Sequence, residues 1–231
     1  MERSDAIVGR RNFVAGLVAL AGGLALAPGA RAAGLGGSLS SILGKASDSA
    51  LDRLAVPGAF YNDPAIRIGL PLIGGSGGLL GTALSAGNKL GVLDGLTRKL
   101  NDAAGVAAGE AKPIFRNAIN NLSLNDVPGI VSHNDGATRY LRQSSGDMLH
   151  DKLRPLIDGA LGDLGAYTQL DKLTRKHSFL ASAGISRDGL GKSVTDQAMG
   201  GIFSYIGSEE ASLRANPLGK AGGLLKGVLG N

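Results

Sequence analysis

The chain has 231 residues with 19% charged side chains, a formal net charge of +5, 38 glycines and no cysteine or tryptophan. The missing cysteine excludes a disulfide framework and thiol or cysteine-metal chemistry, and glycine at about 16% without a period of three excludes collagen. Apolar residues, 43% of the chain, recur at helical spacing, which separates it from disordered polypeptide.

The N-terminus reads as an export signal. Residues 1–12 are polar and carry Arg3, Arg10 and Arg11, and residues 13–27 are uncharged, with Phe13, Val14, Leu17, Val18, Leu20, Leu24 and Leu26 among Ala and Gly. Ala30–Arg31–Ala32 supplies the small-x-small pattern of a signal peptidase site, so cleavage is expected after Ala32. The apolar run falls short of the roughly 20 residues of a membrane span; a retained anchoring helix is the bland alternative. Arg10–Arg11 followed by Asn12, Phe13 and Val14 resembles the twin-arginine address, with an ordinary secretory signal as the other route. Gly9 stands where Ser or Thr is usual, and Ala15 where Lys is common. No cysteine follows the signal, so lipid anchoring of that kind is excluded.

Cleavage removes four arginines (Arg3, Arg10, Arg11, Arg31) and two acids (Glu2, Asp5) and leaves +3. That charge is too small and too interspersed for a nucleic-acid footprint. Residues 33–231 fit one domain.

In the mature chain, 33–55 carries Leu35, Leu39, Ile42, Leu43, Ala46, Ala50, Leu51 and Leu54 at the spacing of an amphipathic helix, ended by Pro57 and Gly58. Residues 60–75 read as irregular, because Pro64 and Pro71 hold their preceding residues away from helix; Gly74–Gly78 then make a loop. A long helix is predicted over 79–104, with Gly87, Gly91 and Gly95 on one face. Another spans 110–122 with Ala111, Ile114, Phe115, Ala118, Ile119 and Leu122 inward. A short turn capped by Ser123 follows. Asp135 is expected to cap the next helix, which Pro155 should kink or divide. A helix over 166–176 comes next. Residues 177–192 read as a loop or hairpin insert, and Ser193 with Asp196 reads as a capping box opening a helix to about 214. Leu224, Leu225, Val228 and Leu229 suggest a short terminal helix. Strand periodicity is nearly absent, and the predicted class is an all-α single irregular helical bundle with Gly/Pro-rich connecting loops.

Few motifs carry chemistry. Gly191–Lys192–Ser193 matches the end of a phosphate loop, but Ser186 stands where its first glycine belongs and no strand precedes it. Gly75 and Gly77 fit a dinucleotide loop that Leu80 breaks. His133, His150 and His177 are scattered without zinc-ligand spacing, so no metal or cofactor is called for. Arg139 and Arg142, one turn apart beside Tyr140, form either a clamp for a carboxylate or phosphate or a solvated basic face. Arg67 lies between Ile66 and Ile68 and is expected either to snorkel or to pair with a buried acid. Glu209 and Glu210 are adjacent and point apart; Glu210 is expected to pair with Arg214 on the surface.

Four blocks resemble a bacterial family of exported proteins known as domain of unknown function 4197. They are Tyr61–Asn62–Asp63–Pro64 with Ile66–Arg67–Ile68 and Leu70–Pro71; Glu110–Ala111 with Pro113–Ile114–Phe115; Asp135 to Arg142; and Val194–Thr195–Asp196 onward through Glu209, Glu210, Arg214, Asn216 and Pro217. Gly69 departs from the proline usual there. The resemblance implies a soluble helical protein of the bacterial envelope and supplies no activity.

The leading expectation is therefore a periplasmic, non-enzymatic helical protein that binds a small ligand or an envelope partner, without nucleic acid and without a membrane span in the mature chain. Arg67, Arg139, Tyr140 and Arg142 are the candidate ligand-binding residues. The alternative is a cofactor-free hydrolase or lyase with Asp135 or Glu209 as acid or base and Arg139 as anion clamp; a weaker one is peripheral membrane association.

Overall fold

The computed structural model describes residues 28–71, 90–122, 130, 132–176 and 186–215, with the side chains of 28–38 and 90–93 outside that description. Predicted features at 74–89, Ser123–Gly129, His177 and the 224–229 helix lie outside the described residues. Seven helices are present among them and no strand: α1 (Pro28–Leu54), α2 (Ala59–Asn62), α3 (Leu90–Glu110), α4 (Lys112–Asn120), α5 (Gly136–Asp163), α6 (Ala166–Lys176) and α7 (Arg187–Ala215). They pack on one another as an all-α bundle, as the apolar periodicity implies. No described helix is long and apolar enough to cross a membrane.

The core follows the predicted stripes. α1 buries Leu39, Leu43, Ala46, Ala50 and Leu54, and α4 buries Phe115, Ala118 and Ile119. α7 buries Val194, Ala198, Ile202 and Ile206 and packs against α1, α3 and α5. Phe115 and Phe203 meet edge to face with centroids 6.0 Å apart. α3 outruns its predicted end at 104 and continues to Glu110. Its last turns are Ala and Gly: Ala103, Ala104, Ala107 and Ala108 are buried, and small side chains there let the helix lie close on the end of α1.

The start of α7 and the course of α5 differ from expectation. α7 begins at Arg187, so the capping box at Ser193–Asp196 does not form. Ser186 takes the role, its Oγ accepting the Gly189 N–H at 3.1 Å, while Ser193 Oγ accepts from Gln197 inside the helix. Gly191–Lys192–Ser193 is accordingly helix rather than phosphate loop. A Cβ at Gly191 would stand 2.1 Å from Asp158 Oδ1 and 2.8 Å from the Tyr167 hydroxyl, so glycine is required by the close approach of α5 and α6. α5 runs unbroken through Pro155, which is exposed; water can take the carbonyl that proline leaves without a donor. Gly165, at φ 70°, turns the chain from α5 into α6 in a conformation open to glycine.

The irregular segment at 63–71 is a strap rather than a loop. Ile68 is fully buried, yet no strand is available to pair its backbone. Asn101 of α3 does so instead, its Oδ1 accepting the Ile68 N–H at 2.8 Å and its Nδ2 donating to the Ile68 carbonyl at 2.9 Å. Gln197 of α7 treats Gly69 the same way, at 2.9 and 3.0 Å. Asp63 accepts from the Tyr205 hydroxyl at 2.7 Å and from the Ala65 N–H. Two side-chain amides thus replace a sheet ladder, as buried backbone groups require partners.

Asn101→Ala is expected to lower stability by about 2 kcal/mol, since both polar groups of buried Ile68 lose their partners. Gln197→Ala, at a half-buried position that water reaches, should cost about 1 kcal/mol or less. Urea denaturation of the two variants checks the order.

Candidate functional site

The start of α5 is held from outside its own sequence. Its first N–H groups lack helical acceptors, and Asp135 at the N-cap makes no side-chain bond to them, contrary to expectation. Glu210 of α7 supplies the cap: its carboxylate accepts the Ala137 N–H at 3.0 Å, the Thr138 N–H at 2.7 Å and the Thr138 hydroxyl at 2.6 Å. Glu210 is fully buried, so its pair with Arg214 is not the surface pair predicted. Arg214 Nη2 lies 2.5 Å from Glu210 Oε1 as a charge contact without hydrogen-bond alignment, and Nη1 donates to the His133 carbonyl at 3.2 Å.

Relieved of capping, Asp135 accepts a hydrogen bond from Arg139 Nε at 2.9 Å. That bond holds the Asp135 carboxyl below the usual carboxylate range. Arg142, one turn on, has its guanidinium 5.5 Å from the centre of the Phe203 ring and makes no ion pair among the described residues. Asp135, Thr138, Arg139 and Arg142 on α5 and Phe203, Ser204 and Ser208 on α7 line a cleft of about 500 Å³, with Gly200, Gly207 and Ala211 beneath. That size lies in the range of small-ligand sites.

The predicted residues do not all converge. Asp135, Arg139 and Arg142 share the cleft. Arg67 lies in an adjoining recess with Ala65, Ile66 and Gln197. It pairs with no buried acid: between buried Ile66 and Ile68 it is exposed, donates from Nε to the Tyr61 carbonyl and stands 4.6 Å from the centre of the Tyr61 ring. Tyr140 packs against the core and does not line the cleft. Glu209 turns to α1, where its carboxylate accepts from Ser49 at 2.9 Å and from Arg53 at 2.5 Å. Of the histidines, His150 bonds to Asp196 across α5 and α7 at 3.0 Å, and His133 lies against Ser132. Among the described residues no cluster of His, Asp or Glu has the makings of a metal site.

Sequence reasoning missed the α7 wall. Gly200, Ser204, Gly207, Ser208 and Ala211 recur at helical spacing, a run of small residues that marks a shallow face; Phe203 reads from sequence as core alone, though it also underlies Arg142.

A family model described as "Protein of unknown function (DUF4197)" matches residues 31–230. No curated protein and no solved structure matches the chain.

A carboxylate whose pKa is lowered by folding stabilises the fold above its ordinary pKa and loses that effect as pH falls through the lowered value. Arg139 is 64% exposed, so screening keeps the Asp135 contribution under about 1 kcal/mol. Asp135→Asn is therefore expected to destabilise slightly at neutral pH and not at all in strong acid, read by urea denaturation of parent and variant in both conditions.

Proposed function

The chain belongs to the DUF4197 family, and from that premise we propose that it is an exported periplasmic protein that binds a small anionic ligand, without catalysis, in the cleft between α5 and α7. The observation that carries the reading is Arg142. Seven other arginines among the described residues, Arg139 included, reach a carboxylate, whereas Arg142 stacks on Phe203 at the mouth of a cleft and keeps its donors for something else. A guanidinium laid on an aromatic ring is oriented in advance and suited to a carboxylate or phosphate. Phe203 and the glycine floor offer apolar surface to the body of the ligand, and Ser204 offers a hydroxyl.

The same geometry supports binding over acid–base catalysis. Asp135, held ionised by Arg139, is a weak base. Glu209 is engaged by Ser49 and Arg53 and does not line the cleft.

Export is supported by Arg10–Arg11 against an apolar run and by Ala30–Arg31–Ala32, and the family match begins at residue 31. α1 starts at Pro28, so cleavage after Ala32 removes about one helical turn. The described core, which begins at Leu39, is left whole.

Two measurements test this. Mass spectrometry of the fractionated periplasm should find a mature chain starting at Ala33, and Arg10→Lys with Arg11→Lys should retain the precursor inside the cell; a full-length cytoplasmic chain overturns the export reading. Calorimetric titration with hexanoate and with hexyl phosphate should show binding that Arg142→Ala weakens by about tenfold or more and Arg142→Lys partly restores. Arg187→Ala, at the far junction of α6 and α7, should leave it unchanged. Asp135→Asn should tighten it by releasing Arg139.

A further inference from the structure

The cleft and the Arg67 recess are two ends of one groove. Both are lined by Gly200 and Ser204. An α-helix turns about 100° per residue, which places Gln197 and Gly201 on one flank of α7 and Phe203 and Glu210 on the other, with Gly200, Ser204 and Ala211 between. The first flank carries the strap: Ile66 Cβ would stand 3.2 Å from a Cβ at Gly201. The second carries α5, through Glu210 with Thr138 and Phe203 with Arg142. The groove therefore runs over α7 with Arg67 on one bank and Arg142 on the other.

The two banks resemble each other chemically. Each arginine is laid on an aromatic ring, Arg67 on Tyr61 at 4.6 Å and Arg142 on Phe203 at 5.5 Å. Neither makes an ion pair with a carboxylate among the described residues: Arg67 feels Asp94 only through space, that carboxylate being bonded to Tyr61 and Arg98, and its Nε donates to the Tyr61 carbonyl. The floor between them is open. A Cβ at Gly200 would meet nothing within 4 Å, so packing inside the protein does not account for a glycine in mid-helix there, whereas Gly201 is closed in by Phe60 and Ile66.

Resting on the anion-binding reading above, we propose that the ligand is an elongated small molecule with an anionic group at each end, one held by Arg142 and the other by Arg67, its middle lying across Gly200 and Ser204. Two charges held at a fixed separation select for length, because only a ligand that spans both guanidinium groups gains the second attachment. Carboxylate and phosphate ends suit the same chemistry.

The test is calorimetric titration of the folded chain with straight-chain dicarboxylates from malonate to sebacate, with the monocarboxylates of equal length, and with the matching alkane bisphosphonates. The expected result is an optimum at one chain length, where the dianion binds about tenfold tighter than its monoanion; the series that shows it identifies the anion. Arg67→Ala should bring the best dianion down to the affinity of the equal-length monoanion, and Arg67→Lys should restore part of the gain. Gly200→Ala gives an independent reading: it should raise the melting temperature by about 2 °C while weakening the dianion, since a methyl group then occupies the floor. A dianion no tighter than its monoanion at any length, or a gain that survives Arg67→Ala, overturns the proposal and leaves the single-anion reading standing. Binding of neither series overturns both.

Discussion

The buried carboxylate of Glu210 is the joint on which the α5–α7 end of the molecule depends. An α-helix cannot begin in a packed interior with its first N–H groups unanswered; the His133 carbonyl takes the Gly136 N–H, and nothing in the neighbouring sequence takes those of Ala137 and Thr138. Glu210 accepts from Ala137 and Thr138 and brings Arg214 with it into a low-exposure setting. This single side chain from α7 sets where α5 starts and how it lies on α7. The cleft one turn further along is a consequence. Asp135, not needed as a cap, is free to hold Arg139, and Arg142 is left over Phe203 without an acid.

The strap obeys the same constraint by other means. After a turn at 63–67 its backbone is non-helical and partly buried, and amides from α3 and α7 complete its hydrogen bonds. α7 therefore answers backbone groups on both of its flanks, α5 through Glu210 and the strap through Gln197. The face between those flanks is left with small residues and no cover. At the opposite end of α7, Arg154, Asp158, Asp188 and Tyr167 close around Gly191; burial and the bond to Asp158 push the Tyr167 phenol well above its ordinary range. The polar network there is internally satisfied, in contrast to the unpaired arginines of the groove.

The helices are legible from the sequence wherever an apolar stripe recurs, in α1, α3, α4, α5, α6 and most of α7; the ends and starts are not. The features misread share one cause. Ser193–Asp196 and Asp135 have the residue types of N-caps, and the cap pattern is local, yet which N–H groups need an acceptor is decided by where the helix starts in space. Ser186 lies in a glycine-containing stretch that reads as loop, so nothing local marks it as a cap. Glu210 was read as half of an i, i+4 surface pair because spacing reports the neighbour on its own helix and says nothing of α5, which is more than seventy residues away in the chain. Of the site, Arg139 and Arg142 were visible as a clamp. Their aromatic support and the α7 floor were not, since Phe203 carries the signature of a core residue and small residues carry little signature at all.

By itself the sequence determined the all-α class, the apolar faces that meet, the family and the residue types available for binding, because periodicity and composition are properties of the chain read locally. The tertiary structure alone decided which carboxylates are consumed. Glu209 goes to α1, Glu210 to the start of α5 and Asp135 to Arg139, and only then do Arg67 and Arg142 emerge as arginines that face a groove without an ion pair. Pairing between charges depends on distance through space, and that distance exists only once the helices have packed.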